Sequence, residues 1–358
     1  MTYLKKLGAT ISIVLISFLS LATHSGEHIA ISDKNNLIII GGESTRAIYV
    51  LDKTTYELKK RIWFDTKISS INRAGNVWFS NDESSFWVHN NGKLIQYGVS
   101  DFTQKVIFDV SDNVVISPDR TLILSLKSYK SEVKVIDSNT GELKYEYNLP
   151  SSSEDGVERV GVFDDNSEIL IVHAEVKDET EEKTEEGSSF FGIEKKYEGK
   201  PDSLILRVLH KTDQKKRLFS RFKIETGELI KEQYSWYSDE LNDMEVTAYN
   251  GEYYILSEKG CATVSKDFKL KLFNVNPLQG NSFHIDREKG LIVNSNYNGL
   301  QIYNLATHKT ITQTFSGHSN TICSGSASDG ELTFSFLTDY YMTVHKLNGT
   351  KVKIIPIF

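Results

Sequence analysis

The chain has 358 residues, 39% hydrophobic and 25% charged, with a formal net charge of −7, which suffices to bury a large core and excludes a disordered chain. An acidic balance argues against nucleic acid as a partner, because phosphate binding needs a concentrated basic face. Five prolines and 23 glycines are too few for a low-complexity protein, and two cysteines exclude a disulfide framework.

The first 25 residues place Lys5 and Lys6 before an apolar and small-residue run from Leu7 to Ala22, with Ser20 and Ala22 spaced as a small-x-small cleavage signal. This predicts a secretory signal peptide over residues 1–22. An uncleaved anchor is the competing reading, and no cysteine near Ala22 suggests a lipid. Cleavage removes two lysines and no acid, taking the net charge from −7 to −9. Export permits disulfides, but Cys261 and Cys323 fall in repeats two apart and on different kinds of strand, so two separate thiols are expected.

Beyond the leader one pattern recurs, clearest from Asn113 to Pro150. VVIS is a short apolar run, PDR a turn, TLILSL a buried strand, VKVID and ELKYEYNL alternating strands separated by SNTG. Pro118 presets φ for a turn, Asp119 is placed to accept from the following backbone, and Gly141 tolerates positive φ. Ile29 to Phe64 matches this template strand for strand, and Val77 to Val110 is a second copy. The turn after each third strand is marked by Asp52, Ser100, Asp137, Glu225, Lys266, Asn304 and Asn348, at intervals of 48, 37, 88, 41, 38 and 44 residues.

A period near forty with four strands per unit is the signature of a β-propeller, whose blades cannot bury both faces alone. The interval of 88 offers only one additional strand, SLILRVLH, so it reads as one blade with long second and third strands and an insertion. The expectation is an all-β, seven-bladed propeller of four-stranded antiparallel blades, at about 29–64, 77–110, 113–150, 158–237, 244–275, 281–316 and 320–358, within one domain from 23 to 358. Blade four carries an inserted acidic and aromatic segment, 177–202. First strands should line the channel, and the last blade should close the ring with four strands of its own.

The sixth and seventh units, IYNLATHKTITQTFSGHSNTICSGSASDGELTFSF, resemble a WD-repeat unit, with Gly317 and His318 at the Gly-His position and Asn304 where the Asp of the Trp-Asp pair stands. IYVLDKTTYELKKRI and VKVIDSNTGELKYEY resemble the YVTN-type repeats of exported bacterial propellers. These resemblances imply the fold and an exported bacterial type, and are too generic to imply an activity.

Nine histidines include no HExxH or His-x-His pair, so no metal site is expected and His318 reads as a loop side chain bonded within its own blade. Asp164 with Asp165, Asp239 with Glu240, and Asp243 with Glu245 sit in or beside turns, where solvated acids are ordinary. No Gly-x-Ser-x-Gly elbow occurs, and SGSASDG at 324–330 lacks the strand and helix context of one. DSNTGELKYEY and ETGELIKEQYSW resemble quinoprotein blade endings, but Tyr145, Tyr147 or a late Trp236 stands where that family has a docking Trp, and its vicinal cysteines are missing.

The insertion has character of its own. Six acids among the nine residues Asp178 to Glu186 precede Phe190, Phe191, Ile193 and Tyr197, and exposed apolar groups imply a cover, either the propeller's own side or a partner. With Trp236 and Tyr237 of the loop SWYSDELND, these six aromatic and aliphatic residues are the candidate partner-binding set. The reading is a non-catalytic binding or scaffold propeller that engages a protein or other ligand through face loops and the blade-four insertion, with a protein the favoured partner, no cofactor, no catalytic residues, no metal, no nucleic acid, and membrane contact only through an uncleaved leader. A monomer is expected, in the periplasm or secreted. A propeller hydrolase, lactonase or quinoprotein-like oxidoreductase is the alternative. Mass spectrometry of the exported protein should find a new N-terminus after Ala22; an intact Met1 in the membrane fraction would mean an anchor.

Overall fold

The computed structural model describes residues 29–41, 47–63, 76–90, 92–110, 113–127, 132–149, 157–175, 214–238, 245–257, 260–273, 282–287, 289–296, 299–307, 309–315, 323–337 and 341–356. These form 28 strands in seven sheets, each sheet four sequence-consecutive strands paired antiparallel in order. Blade one is Ile29–Ser32, Leu37–Ile40, Ala47–Asp52 and Leu58–Trp63. Blade seven is Cys323–Ser328, Leu332–Leu337, Tyr341–Lys346 and Lys351–Pro356. The first strand of blade one lies against the first strands of blades two and seven, so the ring closes with the inner strands at its centre. Closure uses four C-terminal strands, as expected from the sequence.

Burial falls from centre to rim. Leu37–Ile40 is buried throughout, whereas Leu58–Trp63 buries only Ile62 fully. Second and third strands are apolar on both faces because each face meets another blade. Ile48, Val50 and Ile62 pack with Val77, Phe86 and Val88 of blade two, while Ile38, Tyr49 and Leu51, from the other face, pack with Phe334, Met342, Val344 and Ile355 of blade seven. Each such side chain contributes roughly 1.5–3 kcal/mol when fully buried. Trp87, with Ile123 and Ile136, fills the seam between blades two and three.

The turns between first and second strands and between third and fourth strands share one end of the ring. In the first set Asn36, Glu83, Arg120 and Asn166 occupy the left-handed region, with φ from 54° to 62°. An aspartate braces three of these turns: Asp82, Asp119 and Asp165 accept the amides of Ser84, Thr121 and Ser167, each at 2.9 Å. In the second set Asp52 and Asp137 accept two turn amides each. Every blade except the fifth then shows a register slip between its third and fourth strands. In blades one to three the extra residue is Lys59, Lys105 or Lys144, and Lys59 and Lys144 each reach the turn aspartate at 2.9 Å. A bulge and a lysine on the outer strand discourage edge-to-edge pairing.

At this end every seam is also stitched by a polar contact. Ser32 Oγ donates to Glu83 (2.6 Å), Trp87 Nε1 to the Ser138 carbonyl (2.7 Å) and Asn166 Nδ2 to Asp119 (2.8 Å). The Gly251 amide donates to Asp164 (2.8 Å), Arg287 Nη2 to Thr247 Oγ1 (2.8 Å) and Ser328 Oγ to Asp286 (2.9 Å). The last seam is held by Lys53, whose ammonium lies 2.7 Å from Asp329 of blade seven and also pairs with Asp33.

Lys53→Met removes that ammonium and leaves Asp329, whose side chain is 5% exposed, without its cation. We expect a loss of about 1–3 kcal/mol in urea unfolding at neutral pH. Burial pushes the Asp329 carboxyl up, but Lys53 and the amides of Leu332 and Glu331 outweigh it and hold the group below its ordinary 3.8. A carboxylate depressed in the folded state adds stability that is complete above its ordinary pKa and lost as pH falls through the folded one. The gap between wild type and Lys53→Met should therefore close below about pH 3.8; an unchanged gap in acid would remove the ion pair as its source.

Candidate functional site

Blade four departs from the repeat. Its strands are Val157–Val162, Glu168–Glu175, Gln214–Lys223 and Leu229–Ser238. The last two are ten residues each, against five or six for the third strands of the other blades and four to seven for the fourth. Glu175, the end of the second strand, pairs with Arg217. Beyond that level Gln214, Lys215 and Lys216 pair only with Ser238, Tyr237 and Trp236 among the described residues. At about 3.3 Å per residue, the outer hairpin stands roughly 10 Å past its own second strand. This overhang lies at the end of the ring opposite the stitched turns.

Trp236 and Tyr237, two of the sequence-derived candidates, are in this overhang, opposite Lys216 and Lys215. Phe190, Phe191, Ile193 and Tyr197 lie outside the described residues, as does His318. The segment that carries those four joins the second strand of blade four, which ends at Glu175, to the third, which begins at Gln214.

Two polar constellations in the same blade went unrecognised in the sequence. In the seam toward blade five, Glu168 and Arg221 are buried at 4% and 7% exposure. Arg221 Nε donates to Glu168 at 2.6 Å, its Nη1 donates to the Lys266 carbonyl, and Lys266 Nζ approaches Glu168 at 2.7 Å. Lys266 also sits 3.7 Å from the Phe163 ring centroid, and the Phe163 ring is 5.0 Å from that of Tyr253. Burial, with Glu168 adding to it, raises the Tyr253 phenol well above its ordinary pKa, so it stays neutral. The two acids Asp165 and Glu168 face the two cations Arg221 and Lys266, a balanced scaffold cluster.

The second constellation has the components of nucleophilic catalysis. His173 Nε2 lies 2.9 Å from Ser220 Oγ, and Ser220 Oγ donates to Glu232 at 2.9 Å. With the hydroxyl proton directed at Glu232, the imidazole nitrogen must be the donor to Ser220. Activation of a serine needs the opposite polarity, an imidazole that accepts the hydroxyl proton. Ser220 is also fully buried, so this relay ties three strands of one blade together. His173 and Ser220 stand 47 residues apart on either side of the insertion, which hid the pair from any motif search.

The acid pairs singled out in the sequence go to the scaffold where they are described. Asp164 accepts the Gly251 amide, and Asp165 accepts the Ser167 amide and faces Lys266. Asp239, Glu240 and Asp243 lie outside the described residues. Among the described residues no group of three or more His, Cys, Asp or Glu is arranged to hold a metal. Cys261 is on the third strand of blade five and Cys323 on the first strand of blade seven, with blade six between their sheets.

Comparison with known proteins adds the fold alone. No family model matches the chain, and no curated protein matches it. Of 1314 matching chains of solved structures, one is the crystal structure of the computationally designed Ika8 protein, 10% identical, covering 94% of this chain and 91% of that one, with a TM-score of 0.53. A scaffold shared so widely selects no activity by itself.

Glu168→Gln would keep the side-chain shape and leave Arg221 and Lys266 without their buried anion. Breaking a buried pair of this kind costs about 3–5 kcal/mol, measurable as a lowered urea midpoint with unchanged slope. A change under about 1 kcal/mol would show that solvent already compensates the two cations.

Proposed function

We propose that the chain is an exported, non-catalytic binding propeller, of the WD-repeat or YVTN-like kind, that engages a protein partner through its blade-four hairpin, the insertion 177–202 and the neighbouring loops. The overhang carries this reading: in an otherwise regular ring, only blade four among the described blades extends its outer hairpin, and Trp236 and Tyr237 fall in that extension. Trp, Tyr and Arg dominate binding hot spots, and a two-stranded ribbon beyond its sheet offers backbone groups as well as side chains. The buried, inverted polarity of the His173–Ser220–Glu232 relay favours binding over serine hydrolysis. In this reading the protein is monomeric and works without a bound metal or cofactor in the periplasm or the medium.

Deleting Thr180 to Gly199 shortens the segment between two strands that remain paired, so closure entropy changes little and unfolding should stay cooperative. A pull-down from the exported fraction with the intact chain, this deletion and a Trp236→Ala, Tyr237→Ala chain should lose the same partner in both variants. Identical partners for all three would remove the binding role from blade four. Stoichiometric metal or quinone in the purified protein would replace the binding reading with an enzymatic one.

A further inference from the structure

The outer strands of the ring divide into two arcs by charge. In blades two to four they are Gln104–Asp109, Leu143–Asn148 and Leu229–Ser238, and each holds one lysine and one acid: Lys105 with Asp109, Lys144 with Glu146, Lys231 with Glu232. In blades five, six, seven and one they are Leu270–Phe273, Lys309–Phe315, Lys351–Pro356 and Leu58–Trp63. These four hold Lys271, Lys309, Lys351, Lys353, Lys59, Lys60 and Arg61, and no acid. In a chain of net charge −7 this is a continuous cationic rim, continuous only because blade seven packs on blade one.

Its densest part is the pair of adjoining outer strands of blades seven and one. Lys60, Lys351 and Lys353 are exposed, and Lys59 is engaged by Asp52. Arg61 is held over the rings of Tyr49 and Trp63, at 5.1 and 5.2 Å, and Lys353 lies 4.9 Å from the Tyr56 ring. The same two strands carry exposed apolar side chains, Trp63 at 62%, Val352 at 47%, Leu58 at 46% and Ile354 at 44%; Arg61 and Lys353 are on the faces that meet at the seam, and Lys60 and Ile354 on the faces turned from it.

We propose that these two outer strands form a docking edge for an anionic phospholipid bilayer. Lysine and arginine stems beside exposed aliphatic groups and a tryptophan match the headgroup boundary, where cations meet phosphate while the apolar groups enter the acyl edge. A flat surface touches a convex ring at about two neighbouring blades, and these two bring four cations, Lys60, Arg61, Lys351 and Lys353, that form no ion pair among the described residues, each worth about one kcal/mol, or fivefold in affinity, at an anionic surface. Nucleic acid or an acidic polypeptide would use the same cations but not the four apolar groups. The edge is separate from the blade-four hairpin and does not depend on the function proposed for it.

The test is co-sedimentation of the full chain with vesicles of phosphatidylcholine alone and of equal parts phosphatidylcholine and phosphatidylglycerol. Any contribution of the N-terminal apolar run is common to every variant. The intact chain should prefer the anionic vesicles and lose that preference in high salt. A chain with Lys60→Gln, Arg61→Gln and Lys353→Gln should bind them about a hundredfold less tightly, and Trp63→Ser alone should also weaken binding. A chain with Lys105→Gln, Lys144→Gln and Lys231→Gln, equal in charge loss but on the balanced arc, should bind like the parent. Thermal unfolding of each variant separates loss of fold from loss of binding. Equal binding to both vesicle types, equal loss in the two triple variants, or preference for poly-glutamate or duplex DNA over the vesicles would overturn the proposal.

Discussion

The structure depends on the contact between each sheet face and the next, because a four-stranded blade with two apolar faces has no stable existence in water. Ile38 and Tyr49 on one face of blade one need Phe334 and Met342; Ile48 and Val50 on the other need Val77 and Phe86. A chain of such units must close on itself or leave an apolar face exposed at each end. Here closure rests on packing and on one ion-paired lysine, with no strand exchanged between the termini among the described residues.

That constraint distributes other properties over the surface. The end with the first-to-second and third-to-fourth turns is taken up with holding the blades together: its aspartates brace turns and its polar groups cross seams. Its residues are therefore poorly free for a ligand, which is why the conspicuous acids Asp164 and Asp165 have structural partners. The rim carries the cost of open sheet edges, met by bulges and lysines. The remaining end is where blade four extends, and the hairpin there adds length without disturbing any seam.

Much of this was legible in the chain. Alternation of apolar residues, an Asp, Asn or Gly at most hairpins, and a period near forty are local signals, and they imply seven blades of four strands with long second and third strands in the fourth; the structure lengthens the fourth strand of that blade as well. Asp119 accepts the Thr121 amide and Gly141 takes φ of 75°, as their turn chemistry requires. Of the six candidate residues, Trp236 and Tyr237 fall both at the end of blade four, 158–237, and in the loop SWYSDELND on the sequence signals; the structure carries the strand through them to Ser238. β-Propensity in YSWYS outweighs the turn signal of the following Asp and Asn.

What the sequence by itself determined is therefore what depends on neighbours along the chain: strand periodicity, turn positions, the number of blades. Only the tertiary structure decided which distant residues share a surface. Ser220 accepting from His173 across the insertion, Glu168 between Arg221 and Lys266, and Lys353 beside Tyr56 at opposite ends of the chain have no sequence spacing to announce them. Their separation along the chain is set by loop lengths, which carry no packing information, while their meeting in space is set by a ring that must bury both faces of every sheet.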